Sequence, residues 1–143
     1  MTTTPELGDL RHLTDAELLQ SAVFAVQRER DAQLAILYHL NEIERRRLHL
    51  EYSFASLYHY ARERLRYSSG AAHRRIASAR ALQRYSCVHE ALKRGRLTLT
   101  TTSILAAVLK DLPDAQVDEL VEKAAGRSQE EVQALVATLR PQP

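Results

Sequence analysis

The chain has 143 residues, with 20 Lys or Arg against 18 Asp or Glu, one Cys, four Gly and no Trp. The lone Cys87 excludes a disulfide framework and any zinc site built on several thiolates. Glycines scattered at positions 8, 70, 95 and 126 assemble neither a phosphate-cradling loop nor a dinucleotide fingerprint. No run approaches the ~18 consecutive apolar residues of a membrane helix, and the first ten residues carry no apolar signal-peptide core, so a soluble, cytoplasmic protein is the expectation.

Nearly every segment carries a helix signal. After a flexible stretch over residues 1–13, Thr14-Asp-Ala-Glu17 forms a capping box in which hydroxyl and carboxylate each satisfy a free amide. Leu18, Leu19, Ala22, Val23 and Val26 follow at helical spacing, and Leu34, Ile36, Leu37, Leu40 and Ile43 resume it beyond the polar run Gln27–Asp31. This reads as one long or gently broken helix ending near Leu50, with Arg45, Arg46 and Arg47 offsetting the negative end of its dipole. A short helix over 56–66 has Leu57, Tyr60, Ala61 and Leu65 inward. The turn Tyr67-Ser-Ser-Gly70 leads to a helix from about Ser69 to Tyr85.

Ser86 is the next candidate cap, for a helix stopped by Gly95 in a left-handed conformation. Leu97–Ile104 alternates like a strand, yet a lone strand has no partner, so a helix capped by Thr98 and running to about Lys110 is preferred. Pro113 suits the first turn of a helix ending before Gly126. The capping box Ser128-Gln-Glu-Glu131 opens a last helix with Val132, Leu135, Val136 and Leu139, and Arg140–Pro143 starts a linker. The fold class is all-α: one domain over 14–139, a compact bundle of seven or eight helices with a helix-turn-helix-like pair.

Charge is segregated along the chain. Residues 1–44 hold three Arg against eight acids (net −5), residues 45–96 hold thirteen Arg or Lys against three acids (net +10), and residues 97–143 hold four bases against seven acids (net −3). A one-signed stretch of that length draws polyanions. On the helix from Ser69, Ala72, Ile76 and Ala79 line the inward face with Leu82 at its margin. His73, Ala77, Arg80 and Arg84 form a separate stripe, beside Arg74, Ser78 and Ala81. Cations separated by small residues suit a helix approaching a phosphate backbone, because Arg forks onto phosphate or guanine and alanine permits close approach.

The expected DNA contacts are therefore Arg74, Arg75, Arg80 and Arg84, with His73 and Ser78 as minor ones. Arg62, Arg64, Arg66, Lys93, Arg94 and Arg96 are expected as phosphate anchors. The spacing from Ala61 to Ser68 is one residue longer than the compact helix-turn-helix pattern. Tyr52, Tyr58, Tyr60, Tyr67 and Tyr85 all fall in the basic stretch, as stacking rings or as core-boundary residues.

Catalytic constellations are weaker. His59 and Glu63 share a helix face, and Cys87 with His89 makes a C-x-H pair, but neither supplies the three or four ligands of a zinc site. Cys87 reads as an inert thiol, and Asp114, Asp118, Glu119 and Glu122 as acids on a late helix with no chemical role. No catalytic residue, metal, cofactor, small-molecule substrate or membrane is expected.

The run Tyr67-Ser-Ser-Gly-Ala-Ala-His-Arg-Arg-Ile76, then Ala79-Arg80, Gly95-Arg-Leu-Thr-Leu-Thr100 and Leu139-Arg-Pro-Gln-Pro143, resembles the all-helical N-terminal region of bacterial HNH endonuclease-family proteins. The similarity extends from about Leu13 to the C-terminus. It implies a DNA-associated accessory domain; in that family a linker and a metal-binding HNH nuclease domain follow, and no such motif lies in this chain. The leading expectation is a non-catalytic DNA-binding module. The alternative is a protein interaction or homodimerisation module built on the long N-terminal helix.

Overall fold

A computed structural model describes residues 9–139. Among these a 3-10 turn over Asp9–His12 precedes eight α-helices: α1 (Asp15–Arg46), α2 (Leu48–Glu51), α3 (Leu57–Glu63), α4 (Ser69–Arg84), α5 (Ser86–Lys93), α6 (Leu99–Leu109), α7 (Asp114–Ala124) and α8 (Gln129–Ala137). No strand occurs among the described residues, and Leu97–Ile104 runs into helix. Most of the flexible segment expected over 1–13 and the linker expected at 140–143 lie outside the described residues. The chain divides into two compact units, one ending at Gln33 and one beginning at Leu34.

The first unit holds the 3-10 turn and the start of α1. Its capping box forms as read: Thr14 N–H donates to Glu17 Oε1 at 2.9 Å and Glu17 N–H to Thr14 Oγ1 at 3.2 Å. The polar run Gln27–Asp31 stays helical, with Gln27 donating to Asp31 at 2.9 Å and Arg30 to Gln27 at 3.2 Å.

In the second unit α1 ends four residues short of the expected Leu50. Arg47 takes a left-handed backbone (φ 55°), so the helix stops and the single turn of α2 follows. Local hydroxyl caps set four other starts: Ser56 for α3, Ser68 for α4, Thr98 for α6 and Ser128 for α8. α2, α5 and α7 start without a side-chain cap: Tyr85 is the N-cap of α5, so Ser86 is already its first helical residue, and Pro113, expected in the first turn of α7, is instead its N-cap. Gly95 (φ 73°) ends the turn after α5, as expected.

The core centres on α4, which packs against α3, α5 and α6, while α6 also meets α7 and α8. Leu37, Leu40, Val88, Leu105, Leu109, Val117 and Val132 are fully buried around it. Ala72, Ile76, Ala79 and Leu82 face inward as the periodicity predicts, but Ser78 and Ala81 are buried too. More than half of the helix circumference is therefore occupied, and the small residues read as spacers for a phosphate backbone instead admit neighbouring helices. Ser78→Leu, at a fully enclosed position, should cost ~1–3 kcal/mol by overpacking, measured as a lower urea midpoint with intact helical circular dichroism. An unchanged midpoint would mean this face of α4 is open.

Candidate nucleic-acid interface

Beyond the triple arginine at the end of α1, the basic stretch falls into three groups set by the elements that carry them. The first is the α3–α4 corner. α3 ends at Glu63, Arg66 takes a left-handed backbone (φ 64°), and Ser68 caps α4 by accepting from Ala71 N–H at 3.2 Å. Arg62 in the last turn of α3 and Arg64 and Arg66 on this short connection are exposed. Arg74 folds back along α4, with Nη1 only 3.0 Å from where a Cβ on Gly70 would stand. Arg75 leans over the Tyr67 ring, 4.4 Å from its centroid, and donates from Nη1 to Ala71 O at 3.2 Å. Tyr58 OH and Ser69 Oγ hydrogen-bond at 2.7 Å across the corner.

Among the described residues, Arg62, Arg64, Arg66 and Arg74 make no ion pair, and neither does Arg75. Glu63 is the only acid between residues 62 and 75. The first turn of α4 contains no acid, so its positive dipole end stands beside these guanidinium groups uncompensated.

The second group lies toward the far end of α4, with Arg80 ~16 Å and Arg84 ~22 Å along the helix from Ser69. Arg80 donates to Glu44 of α1 through Nε at 3.2 Å and Nη2 at 2.5 Å, a forked ion pair. Arg84 sits 5.1 Å from the centroid of the Tyr85 ring, and together with Lys110 these two arginines line a groove between α4 and α6. The third group surrounds the α5–α6 turn. Arg94 pairs with Glu90 at 3.4 Å and Arg96 with Glu122 of α7 at 2.9 Å, leaving Lys93 without an ion pair among the described residues.

The expected contact set thus separates. His73 is exposed but borders a groove shared with Ser103, Ile104 and Gln133, on the α6–α8 side of α4. Ser78 is no surface contact: it is fully buried and donates its hydroxyl to Leu99 O at 3.3 Å, joining α4 to the start of α6. Leu65, read as inward, is exposed. The triple arginine is partly consumed as well. Glu42 accepts from Arg45 at 2.5 Å and from Arg46 at 2.6 Å, and these bonds hold its carboxyl down to about 2.

The Arg80–Glu44 pair is the neutralisation that sequence reading missed, because its partners lie 36 positions apart. The Arg80 hydrogen bonds hold Glu44 below its ordinary 4.5, against the upward push of partial burial. A depressed native pKa gives stability above the unfolded value, and that stability is lost as pH falls through the native one. Arg80→Ala should therefore lower the unfolding free energy obtained from urea melts near neutrality by up to about 1 kcal/mol, and make that free energy less sensitive to pH as it falls through and below the ordinary carboxylate range. An identical acid limb in the variant would contradict the pairing.

Cys87 is half-buried, and burial together with Asp118 beside it pushes the thiol up to about 11. Only the thiolate is nucleophilic. Alkylation by iodoacetamide at neutral pH should run about a hundredfold slower than for a thiol of ordinary pKa, with Asp118→Asn faster. Rapid labelling of the native chain would refute this. His89, its C-x-H companion, instead shares a 2.6 Å hydrogen bond with Tyr38 OH. Among the described residues no group of three or more His, Cys, Asp or Glu is placed to hold a metal ion. No helix among them is long and apolar enough to cross a membrane.

Comparison with curated proteins and with solved structures gives no match. Residues 12–138, nearly all of the helical region just described, match a family described as a domain of unknown function, DUF222. The chain belongs to the DUF222 family.

Proposed function

We propose that this chain is a non-catalytic, all-helical DNA-binding module whose contact surface is the α3–α4 corner. One observation carries the reading: five arginines, at 62, 64, 66, 74 and 75, are carried by the end of α3, its connection to α4 and the first turns of α4, and among the described residues no acid is ion-paired to any of them. Five other arginines of the basic stretch, Arg45, Arg46, Arg80, Arg94 and Arg96, are answered by Glu42, Glu44, Glu90 and Glu122. An uncompensated arginine cluster costs the fold repulsion that a polyanion relieves. Helix-entrance amides and arginine forks both suit phosphate oxygens.

Binding in this mode is governed by the phosphate backbone, with the corner laid against DNA rather than α4 inserted lengthwise into a groove. The Tyr67–Ile76 run that forms the corner is also the longest of those resembling the helical region of bacterial HNH endonuclease-family proteins. That likeness supports a role in bringing a nuclease to its DNA.

The test is fluorescence anisotropy with a labelled duplex across a salt series. Neutralising Z phosphates gives a slope of about −0.9Z in log K against log salt, and four or five contacts predict about −4. Arg64→Glu with Arg66→Glu and Arg74→Glu should abolish binding at low salt, whereas Arg96→Glu should weaken it only modestly. Absence of duplex binding at low salt, or survival of binding in the triple variant, overturns the proposal.

A further inference from the structure

The first half of α1 carries an apolar stripe that the first unit leaves in solvent. Leu19 is 70% exposed, Val23 61% and Val26 52%. At ~100° per residue, Leu19, Ala22, Val23 and Val26 fall within about 100° of arc, and Asp15 and Arg30 lie on the same line at its two ends. The spacing 15, 19, 22, 26, 30 repeats in steps of three and four, the seam of paired helices. The same line continues to Leu34, Leu37 and Leu40, which are buried within the second unit, so that half of the stripe is already used. Phe24 lies on the opposite side of the helix.

We propose that residues 15–30 of α1 form a self-association surface that pairs antiparallel with a second copy of this chain. The charge order selects that occupant and that direction. An antiparallel pair with its two-fold axis between Ala22 and Val23 sets each residue opposite the one whose number completes 45. Leu19 then faces Val26, Ala22 faces Val23, and Asp15 faces Arg30 at both ends. Parallel pairing in register would instead set Asp15 against Asp15 and Arg30 against Arg30, two repulsions in place of two attractions. A stripe with opposite charges at its two ends and apolar residues between is complementary to its own reverse, as a two-fold interface requires. Neither the arginine corner nor DNA enters this inference.

Sedimentation equilibrium of the full chain from about 1 to about 200 µM reads the result. A reversible dimer is expected. Leu19→Glu, at an exposed position that leaves the helix intact by circular dichroism, should raise the dissociation constant more than about tenfold. Phe24→Ser should leave it unaltered. Asp15→Arg and Arg30→Asp should each weaken the dimer about three- to tenfold, and the two combined should restore it, because the reversed pairs attract again. A chain monomeric throughout this range overturns the proposal and assigns the stripe to a different protein or a lipid surface. So does a dimer indifferent to Leu19→Glu, or a double swap no better than its single changes.

Discussion

The burial of α4 on more than half of its circumference is the constraint from which the rest follows. Ala72, Ser78, Ala79 and Ala81 allow helices to close on it, and the Ser78 hydroxyl spans from α4 to the first carbonyl of α6. Small side chains at a helix crossing bring the axes toward the short end of the usual ~8–10 Å range, where packing is dense and a single added methylene is felt. A helix so enclosed leaves the stripe of His73, Arg80 and Arg84 exposed along its length. Its cations are confined to what remains, namely the entrance, a narrow outer stripe and the far end.

Charge is then distributed by neighbours rather than by sequence blocks. The acidic flanks are not inert balance: Glu44 from α1 and Glu122 from α7 reach the basic region and take Arg80 and Arg96. Exposed pairs of this kind contribute ~0.2–1 kcal/mol each, but they change what the surface presents. They leave the α3–α4 corner as the run of arginines without an ion pair among the described residues, with Arg66 in a left-handed turn before α4 and Arg74 folded back toward Gly70.

Local chemistry was legible in the sequence and non-local chemistry was not. The capping boxes at Thr14 and Ser128 and the cap at Thr98 follow from hydroxyls and partners within three residues, and all three form. Ser86 failed as a cap because Tyr85 already occupies the extended position before the helix. Ser78 and Ala81 were misread because a helix wheel assumes one buried face, whereas α4 meets α3, α5 and α6 at once. The break at Arg47 left no signal, since a left-handed arginine looks like any other in sequence. Within the candidate site, residue types were readable, but which arginines are paired depends on glutamates up to 36 positions away.

The most direct measurement of the central claim is a nitrogen-15 NMR titration of the full chain with a short duplex at low salt. DNA contact at the α3–α4 corner should concentrate shifts at the backbone amides of Ser68 to Ala71 and at the side-chain Nε–H groups of Arg64, Arg66 and Arg74. Shifts confined to the α5–α6 turn or to the outer end of α4, or no shifts at all, would contradict it.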